Sequence, residues 1–228
     1  MIIHETKNIV AIATKNGKNR KVGEGIQIWI LDAKLHPMQS KQTGRDAKNQ
    51  CKGCPFASGQ GCYVFPMPLV QIHKTWKAGG YGKINPGTRE WNEFFNVNFV
   101  RFGAYGNPSL LPLKMVEDIA GRAKKMAGYF HDWHLMKPEK ARAYGKFFMA
   151  SCEPSNREKA VELGLRTFTA TNEPLPKEVA IECIADVTNK KVQCSDCGLC
   201  DGNRRSGMPH IWIKTHGYQL KKAQAAAN

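Results

Sequence analysis

Hydrophobic and polar positions alternate most regularly in the middle of the chain, where they predict a strand followed by a helix. Residues 96–103, NVNFVRFG, alternate apolar and polar side chains and are rich in residues that favour strands. Asn107 and Pro108 then break the chain. The segment 113–127 repeats apolar residues at helical spacing, which predicts an amphipathic helix. Its apolar face carries Leu113, Val116, Ala120, Ala123 and Ala127.

The same alternation continues beyond this helix. Ser155 and Glu158 have the spacing of a capping box, which predicts the start of another helix. Strands that alternate with helices are typical of parallel strands joined by crossover helices. The sequence therefore predicts an α/β fold of parallel β/α units, in an open sheet or a partial, TIM-barrel-like (β/α) barrel. The further elements are a helix at 138–144, a strand at 146–151, the helix from Ser155 and a strand at 165–171.

Two more strands are predicted near the ends of the chain, at 25–31 and 210–217, and we expect both to join the sheet. The segments between the strands are irregular and rich in cysteine, glycine and proline. Short helices are expected in the first of them, near 67–77 and 88–95. The predicted organisation is a single α/β domain over 1–228, irregular insertions at 32–95 and 173–209, and a flexible tail at 220–228.

Charge adds a prediction about the partner. The 228 residues include 34 Lys and Arg against 19 Asp and Glu, a formal net charge of +15. So basic a chain is typical of a protein that binds a polyanion, and we expect a nucleic acid, DNA rather than RNA. The alternative is a solvated basic surface without a specific partner. With 42% hydrophobic residues, the chain can bury a sizeable core.

The N-terminus and the apolar runs bear on the compartment. No run approaches the roughly 18–20 apolar residues that a membrane span needs, and the N-terminus lacks the pattern of a signal peptide. The protein is therefore predicted to be cytoplasmic, without a membrane partner. In a reducing cytosol, cysteines are more often metal ligands or free thiols than disulfides.

Six of the eight cysteines fall into two groups of three. Two-residue gaps let neighbouring thiolates converge on one ion or cluster, and glycines in both turns permit the tight backbone. Cys152 and Cys183 stand alone. The alternative is a set of reduced cysteines in loops. The groups are Cys51, Cys54 and Cys62 in CKGCPFASGQGC, and Cys194, Cys197 and Cys200 in CSDCGLC.

The spacing leaves the choice between zinc and an iron–sulfur cluster open. A tetrahedral zinc at the second triplet needs a fourth ligand, and the candidates are His216, His210, Cys183 or a cysteine of the first triplet. CSDCGLC has the C-x2-C-x2-C spacing of bacterial ferredoxins but lacks their fourth cysteine followed by proline. Neither triplet has the C-x3-C-x2-C spacing of radical S-adenosylmethionine enzymes, which disfavours that class.

Polar and aromatic residues follow the predicted strands, where ligands bind in parallel α/β folds. Several of these residues also have a purely structural interpretation. Trp133 can be a core residue, Tyr105 can lie in a turn, and Glu153 can favour the start of a helix. Cys152 can be a small buried side chain rather than a nucleophile. His4, His36 and His73 are interpreted as surface residues. The candidate catalytic residues are Asp132, His134 and Glu153, and the candidate nucleic-acid-binding residues are Arg101, Tyr105 and Trp133.

These motifs carry a resemblance to known proteins. RFGAYGNP, GYFHDWH, the MAS strand end followed by an acid and a helix, and CSDCGLCDG before a strand ending in HG resemble a family of uncharacterised bacteriophage and prophage proteins. The resemblance extends from the first cysteine triplet to His216. It implies that the protein is encoded by a phage and acts in the cytoplasm of the host cell.

The chain also resembles the guanine transglycosylases, including phage enzymes that exchange guanine in DNA for 7-deazaguanine bases. Those enzymes are (β/α) barrels with a zinc ion on three closely spaced cysteines and a later histidine. The resemblance implies these roles for Cys194, Cys197, Cys200 and His216, and for Asp132 or Glu153 as the essential acid. In this chain the first cysteine gap is wider, the histidine is nearer, and no aspartate stands in a recognisable nucleophile motif.

Three functional hypotheses follow. The first is a metal-binding enzyme that modifies a base of nucleic acid, a transferase of the transglycosylase type, in which a carboxylate forms a covalent sugar intermediate. The second is an iron–sulfur redox or radical enzyme. The third is a non-catalytic nucleic-acid-binding protein whose metal orders its long loops.

Overall fold

The structure, a computed structural model, describes residues 1–16, 19–217 and 220–226. Its strands form two five-stranded sheets. In the first sheet the order is β1-β2-β3-β4-β5. The pairs β1–β2 and β2–β3 are antiparallel, and the pairs β3–β4 and β4–β5 are parallel. Its strands are β1 (Ile2–Glu5), β2 (Ile9–Asn16), β3 (Gly25–Asp32), β4 (Phe99–Tyr105) and β5 (Lys125–Ala127).

In the second sheet all neighbouring strands are parallel, in the order β6-β7-β8-β10-β9. Parallel neighbours need crossover connections, and helices supply several of them. The predicted α/β class with parallel strands is therefore confirmed. The strands of this sheet are β6 (Tyr129–Phe130), β7 (Met149–Cys152), β8 (Thr167–Thr171), β9 (Ile181–Glu182) and β10 (Ile211–Lys214).

Ten helices accompany the sheets in the described residues. The longest, α3, is amphipathic and packs Leu69 and Ile72 against the first sheet. The helices are α1 (Pro37–Gln42), α2 (Arg45–Lys48), α3 (Pro66–Lys77), α4 (Arg89–Phe95), α5 (Leu113–Arg122), α6 (Pro138–Gly145), α7 (Arg157–Glu162), α8 (Ile184–Val187), α9 (Cys194–Cys197) and α10 (Leu220–Ala226). Short 3₁₀ turns lie at Pro108–Leu110, Trp133–Leu135 and Pro154–Asn156.

The two sheets meet at Gly128, the only residue between β5 and β6. β5 pairs with β4, whereas β6 pairs with β7, so one extended segment belongs to both sheets. The Gly128 N–H donates to the Cys200 carbonyl (3.1 Å), and its carbonyl accepts from Met149 N (3.0 Å). A Cβ here would lie 2.5 Å from Phe148 Cδ1, which explains the glycine. The strands of the described residues do not close into a barrel.

β3 is buried on both faces, which accounts for its nearly continuous apolar sequence. Ile26, Ile28 and Ile30 belong to the main core, whereas Trp29 and Leu31 face a second core under α3. Aromatic rings at β4, β6 and α4 fill the main core. Each buried side chain of this size contributes roughly 1.5–3 kcal/mol to the free energy of folding.

The end of the chain differs from the flexible tail that we expected. Leu220–Ala226 form α10, and Ala223 is buried against Phe56. A Cβ on Gly61, whose φ is +106°, would lie 2.4 Å from Ala223 N. The helix therefore packs on the loop of the first cysteine triplet, a long-range contact that the local sequence does not encode. Residues 227–228 lie outside the described residues.

The helix start near residue 155 also differs from the prediction. The reciprocal cap joins Glu153 and Asn156, not Ser155 and Glu158. Because Pro154 can occupy a first helical position, the turn begins two residues earlier than the Ser-x-x-Glu pattern suggests. Glu153 is thereby part of the cap of this turn.

Candidate functional site

A cavity of about 320 Å³, here called the chamber, lies against one face of the joined sheets. Residues that alternate along the strands line it, because side chains two positions apart point to the same face. The lining is largely apolar, and its polar groups include Gln27, Arg101, His131 and Ser151. The chamber is therefore a partly open, mainly apolar pocket against the joined sheets.

Four cysteines line the end of the chamber at the amino ends of the strands: Cys183, Cys194, Cys197 and Cys200, here called the floor cysteines. Cys194 N donates to Lys21 O (2.9 Å), just before β3. Lys125, the first residue of β5, donates through Nζ to the Asp196 carbonyl. These bonds fix the second cysteine loop to this end of the sheet.

The floor thiols influence one another electrostatically. Burial raises the pKa of Cys200, and the neighbouring thiols of Cys194, Cys183 and Cys197 raise it further, against a hydrogen bond from Tyr129. Burial also raises the pKa of Cys194 and of Cys183. A bound cation would relieve this repulsion by holding the groups as thiolates, with release of their protons.

The residue beside the second triplet is Cys183, not His216 or His210. The His216 ring lies at the opposite end of the chamber, 5.6 Å from the Tyr63 ring, with Nδ1 2.9 Å from Lys214 O. His210 Nδ1 accepts from Thr167 N at 3.0 Å. The fourth-ligand candidate that the structure favours by position is therefore a thiol.

The first triplet, Cys51, Cys54 and Cys62, here called the mouth triplet, lies at the carboxyl ends of β4 and β6. All three line a second cavity of about 50 Å³ together with Tyr105 and His131. A Cβ on Gly53 would lie 2.8 Å from the Asp132 Cα and from the His131 carbonyl. The loop therefore packs on the end of β6, and the mouth triplet lines its own small cavity, which shares His131 with the chamber.

The mouth triplet combines repelling thiols with a buried cation. Burial raises the pKa of Cys51, and Cys54, Cys62 and Asp46 raise it further. Lys41 is 6% exposed, and its Nζ donates to Cys62 Sγ at 3.5 Å. In the described residues, no set of three His, Cys, Asp or Glu side chains is already arranged around a single metal ion, at either end.

His131 is a site residue that the sequence interpretation missed. It lines both cavities, and its buried Nδ1 has no hydrogen-bond partner. Burial lowers its pKa to about 4, with His134 acting in the same direction, so the imidazole is neutral near pH 7. The available signal was its place directly after β6, as the first residue of HDWH, of which only Asp132, Trp133 and His134 were considered as candidates.

Arg101 is the nucleic-acid-binding candidate that reaches the chamber. Tyr105 is 2% exposed beside Cys51 and receives a hydrogen bond from Gln50 Nε2 (3.5 Å). Trp133 is 1% exposed and donates through Nε1 to Ser151 O (2.9 Å). Both rings are packed in the interior, so neither presents a face to a base, and the core interpretation of Trp133 is the right one.

None of the catalytic candidates lines the chamber. The Asp132 carboxylate is buried and accepts from Ser109 Oγ at 2.8 Å. The Glu153 carboxylate is held by its cap with Asn156; burial raises its pKa, and the Asn156 hydrogen bond acts against that rise. His134 is exposed on the outer side of Trp133, with ring centroids 5.3 Å apart. The described lining of the chamber contains no Asp or Glu.

Exposed aromatic rings lie at the end of the chamber next to the mouth triplet, here called the mouth. Tyr63 is 39% exposed and Phe65 is 60% exposed, and both line the chamber. They follow Cys62 directly and precede the proline that starts α3, so the mouth loop places them. Flat rings at the entrance of a pocket can stack on a planar ligand.

Comparisons of the chain with protein-family models, with curated proteins and with solved structures find no match. The interpretation of the chamber therefore depends on its geometry. In the described part of the chain, no helix combines the length and the apolar character that crossing a bilayer requires.

Proposed function

We propose that this protein is an iron–sulfur enzyme that modifies a base of nucleic acid, with DNA as the expected substrate. The observation that carries the proposal is a largely apolar chamber lined by four cysteines, next to a smaller cavity lined by the mouth triplet, with His131 in the lining of both. The volume of the chamber, about 320 Å³, is that of a small-molecule site. Only a base that has left the stack of a strand would fit such a pocket.

Charge and aromatic rings support the choice of substrate. The net charge of +15 favours a polyanion, and Arg101 supplies a guanidinium in the chamber that can donate hydrogen bonds to the acceptor atoms of a base. Tyr63 and Phe65 offer exposed rings for stacking at the entrance. In this account, the backbone of the strand stays outside while a single base passes these rings.

The arrangement of the floor cysteines favours iron–sulfur over zinc. Three of the four floor cysteines have the C-x2-C-x2-C spacing of bacterial ferredoxins, and Cys183 lies beside them. Four thiolates are the full ligand set of a four-iron cluster. When bound, the cluster supplies one-electron chemistry.

The transglycosylase hypothesis fits this chamber less well. Base exchange through a covalent sugar intermediate needs a carboxylate next to the sugar. The Asp132 carboxylate accepts from Ser109, and Glu153 accepts from Asn156 through Oε2 while its Oε1 is buried without a partner; neither carboxylate lines the chamber. A non-catalytic binding protein, the third hypothesis, has no need of such a pocket. We therefore prefer chemistry at a cluster to chemistry at a carboxylate.

Elemental analysis and optical spectroscopy of protein purified without oxygen test the metal part of the proposal. We expect iron, acid-labile sulfide and the broad visible absorption of thiolate-ligated clusters. Cys200→Ser should remove at least one cluster, whereas Cys152→Ala, a cysteine in neither group, should keep the full iron content. Colourless protein with zinc and no sulfide would contradict it.

The substrate part has its own test. DNA is incubated anaerobically with the protein and dithionite, then digested to nucleosides for mass spectrometry. We expect an altered nucleoside with the wild type, and at least a tenfold lower yield with Arg101→Ala than with Arg89→Ala, an exposed residue of α4. Unaltered nucleosides from both DNA and RNA would contradict base modification.

A further inference from the structure

We propose that Cys51, Cys54 and Cys62 hold a second iron–sulfur cluster, one iron of which has no cysteine ligand and is reached from the chamber. The inference rests on the proposed function in assuming an iron–sulfur protein, but it concerns a separate site. The floor has four thiols, whereas the mouth has three. The two sites therefore differ in how many coordination positions the protein itself fills.

The loop that carries the mouth triplet is held in place before any cluster binds. The buried Asp46 carboxylate accepts from Ser58 N (3.0 Å) and from Ser58 Oγ (2.9 Å). Cys51 N donates to the Asp46 carbonyl (2.8 Å), and Cys54 N donates to the Cys51 carbonyl (3.1 Å). These bonds close two successive turns, so all three thiols come to line one small cavity.

Lys41 provides an independent observation. The residue is 6% exposed, and its Nζ contacts Cys62 Sγ (3.5 Å) and lies 5.2 Å from the centroid of the Tyr105 ring. None of the carboxylates in the described part of the chain forms an ion pair with it. A buried cation without an anionic partner is costly. A cluster on three thiolates is anionic and would supply the missing negative charge at this position.

In a four-iron cluster on Cys51, Cys54 and Cys62, three irons would each have a cysteine ligand, and no further thiol is available for the fourth. In the described residues, the other cysteines lie on the chamber floor or, as Cys152, in the main core. His131 stands between the mouth cavity and the chamber, with an unpartnered Nδ1. The open iron would therefore face the chamber beside a neutral imidazole and would take an oxygen- or nitrogen-donor ligand.

Iron and sulfide content of anaerobically purified variants separates the two sites. Cys54→Ser and Cys62→Ser should each lose about four irons per chain, and so should Cys197→Ser on the floor. If only Cys197→Ser loses iron, the proposal of a second cluster is overturned and the proposed function is left intact. A wild type without iron would overturn the proposed function itself.

Lys41 gives a test that does not depend on removing a ligand. Lys41→Met should keep its iron but shift the reduction midpoint potential of the mouth cluster to more negative values. A nearby positive charge favours the reduced cluster, and this substitution removes it. Lys41→Arg should stay close to the wild type, and Lys48→Met, at an exposed lysine of α2, should not shift it. Full iron and an unchanged potential in Lys41→Met would overturn the placement of the cluster beside Lys41. If Lys41→Met does not fold, Lys41→Gln and the cysteine variants decide the question.

The open iron has a spectroscopic signature. Cyanide added to the reduced protein should change the electron paramagnetic resonance spectrum of the wild type. The change should persist in Cys197→Ser and be absent from Cys62→Ser. A wild-type spectrum that cyanide leaves unchanged would overturn the free coordination position.

Discussion

Burial sets the roles of the aromatic side chains around the chamber. Trp133 is enclosed, and its indole N–H is used by Ser151 O, so it holds the end of β7 rather than a ligand. Tyr63 and Phe65 keep exposed ring surface at the mouth. A sequence shows that an aromatic residue follows a strand, but its burial depends on packing between distant segments.

Tyr63 therefore carries the first prediction at the residue scale. Tyr63→Ala should weaken the binding of short single-stranded DNA by about 1–3 kcal/mol, the usual loss when one stacking ring is removed. Fluorescence anisotropy with a labelled oligonucleotide measures this change. Val161→Ala, at an exposed position of α7, is the control and should bind normally. Equal affinities for both variants would rule out a stacking role.

His73 carries the second prediction, and it corrects the interpretation as a surface residue. The ring is 8% exposed in α3, and burial, His36 and Lys77 all lower its pKa. His73 binds a proton less readily in the folded protein than in the unfolded chain. Acidification below the ordinary histidine pKa of about 6.5 should therefore reduce the free energy of unfolding. His73→Gln should flatten this dependence in urea titrations from about pH 7 to about pH 5. An equally steep dependence in His73→Gln, compared with the exposed-residue control His134→Gln, would contradict it.

Among the elements, the long insertions show where prediction from sequence ends. The spacing of apolar residues located β4, β7, β8 and α6 to within a few residues, because each buries one periodic face. The helix predicted at 113–127 was too long, because α5 ends at Arg122 and Ala127 belongs to β5, which pairs with β4. β1 and β2 were not predicted, and α10 was expected to be a flexible tail. Their places depend on pairing with β3 and on packing against the mouth loop, which are long-range contacts. The grouping of Cys183 with the second triplet is of the same kind.

Arg166 carries the prediction for the floor loop. Its guanidinium, 6% exposed, pairs with Asp201 (3.2 Å) and donates to the carbonyls of Leu199, Gly202 and Pro209. Arg166→Ala leaves a buried carboxylate and three carbonyls without this partner. Asp201 keeps its ion pair with Arg205 (2.8 Å), so the main loss is the buried carbonyls, and we expect the free energy of unfolding to fall by about 1–3 kcal/mol.

Chemical denaturation measures this loss, and the iron content of Arg166→Ala should fall with it because the floor cysteines flank these carbonyls. Arg204→Ala, at an exposed position in the same loop, serves as the control and should change neither quantity. Wild-type stability in Arg166→Ala would show that the guanidinium does not hold the loop.

At the scale of the whole molecule, charge and enclosure act together. A net charge of +15 attracts a polyanion, whereas the chamber admits only a small planar part of it. The basic composition predicts a polyanionic partner and the cysteines predict a metal, and both stay predictions. The sequence did not predict that the two cysteine groups lie in adjoining cavities that share His131, because that depends on how distant segments pack.

Salt dependence tests the polyanion directly. If binding uses about six phosphate contacts, affinity for DNA should fall roughly a thousandfold between about 50 and about 200 mM salt. Titrations at several salt concentrations give the slope. An affinity independent of salt would contradict a role for the basic surface.

The central claim is that clusters at both ends of the chamber flank a base-sized pocket. Anomalous X-ray scattering at the iron edge, from crystals grown without oxygen, locates the metal directly. The account predicts iron beside Cys183, Cys194, Cys197 and Cys200, and iron beside Cys51, Cys54 and Cys62. Crystals with no iron at either end, or with a single zinc ion in its place, would contradict it.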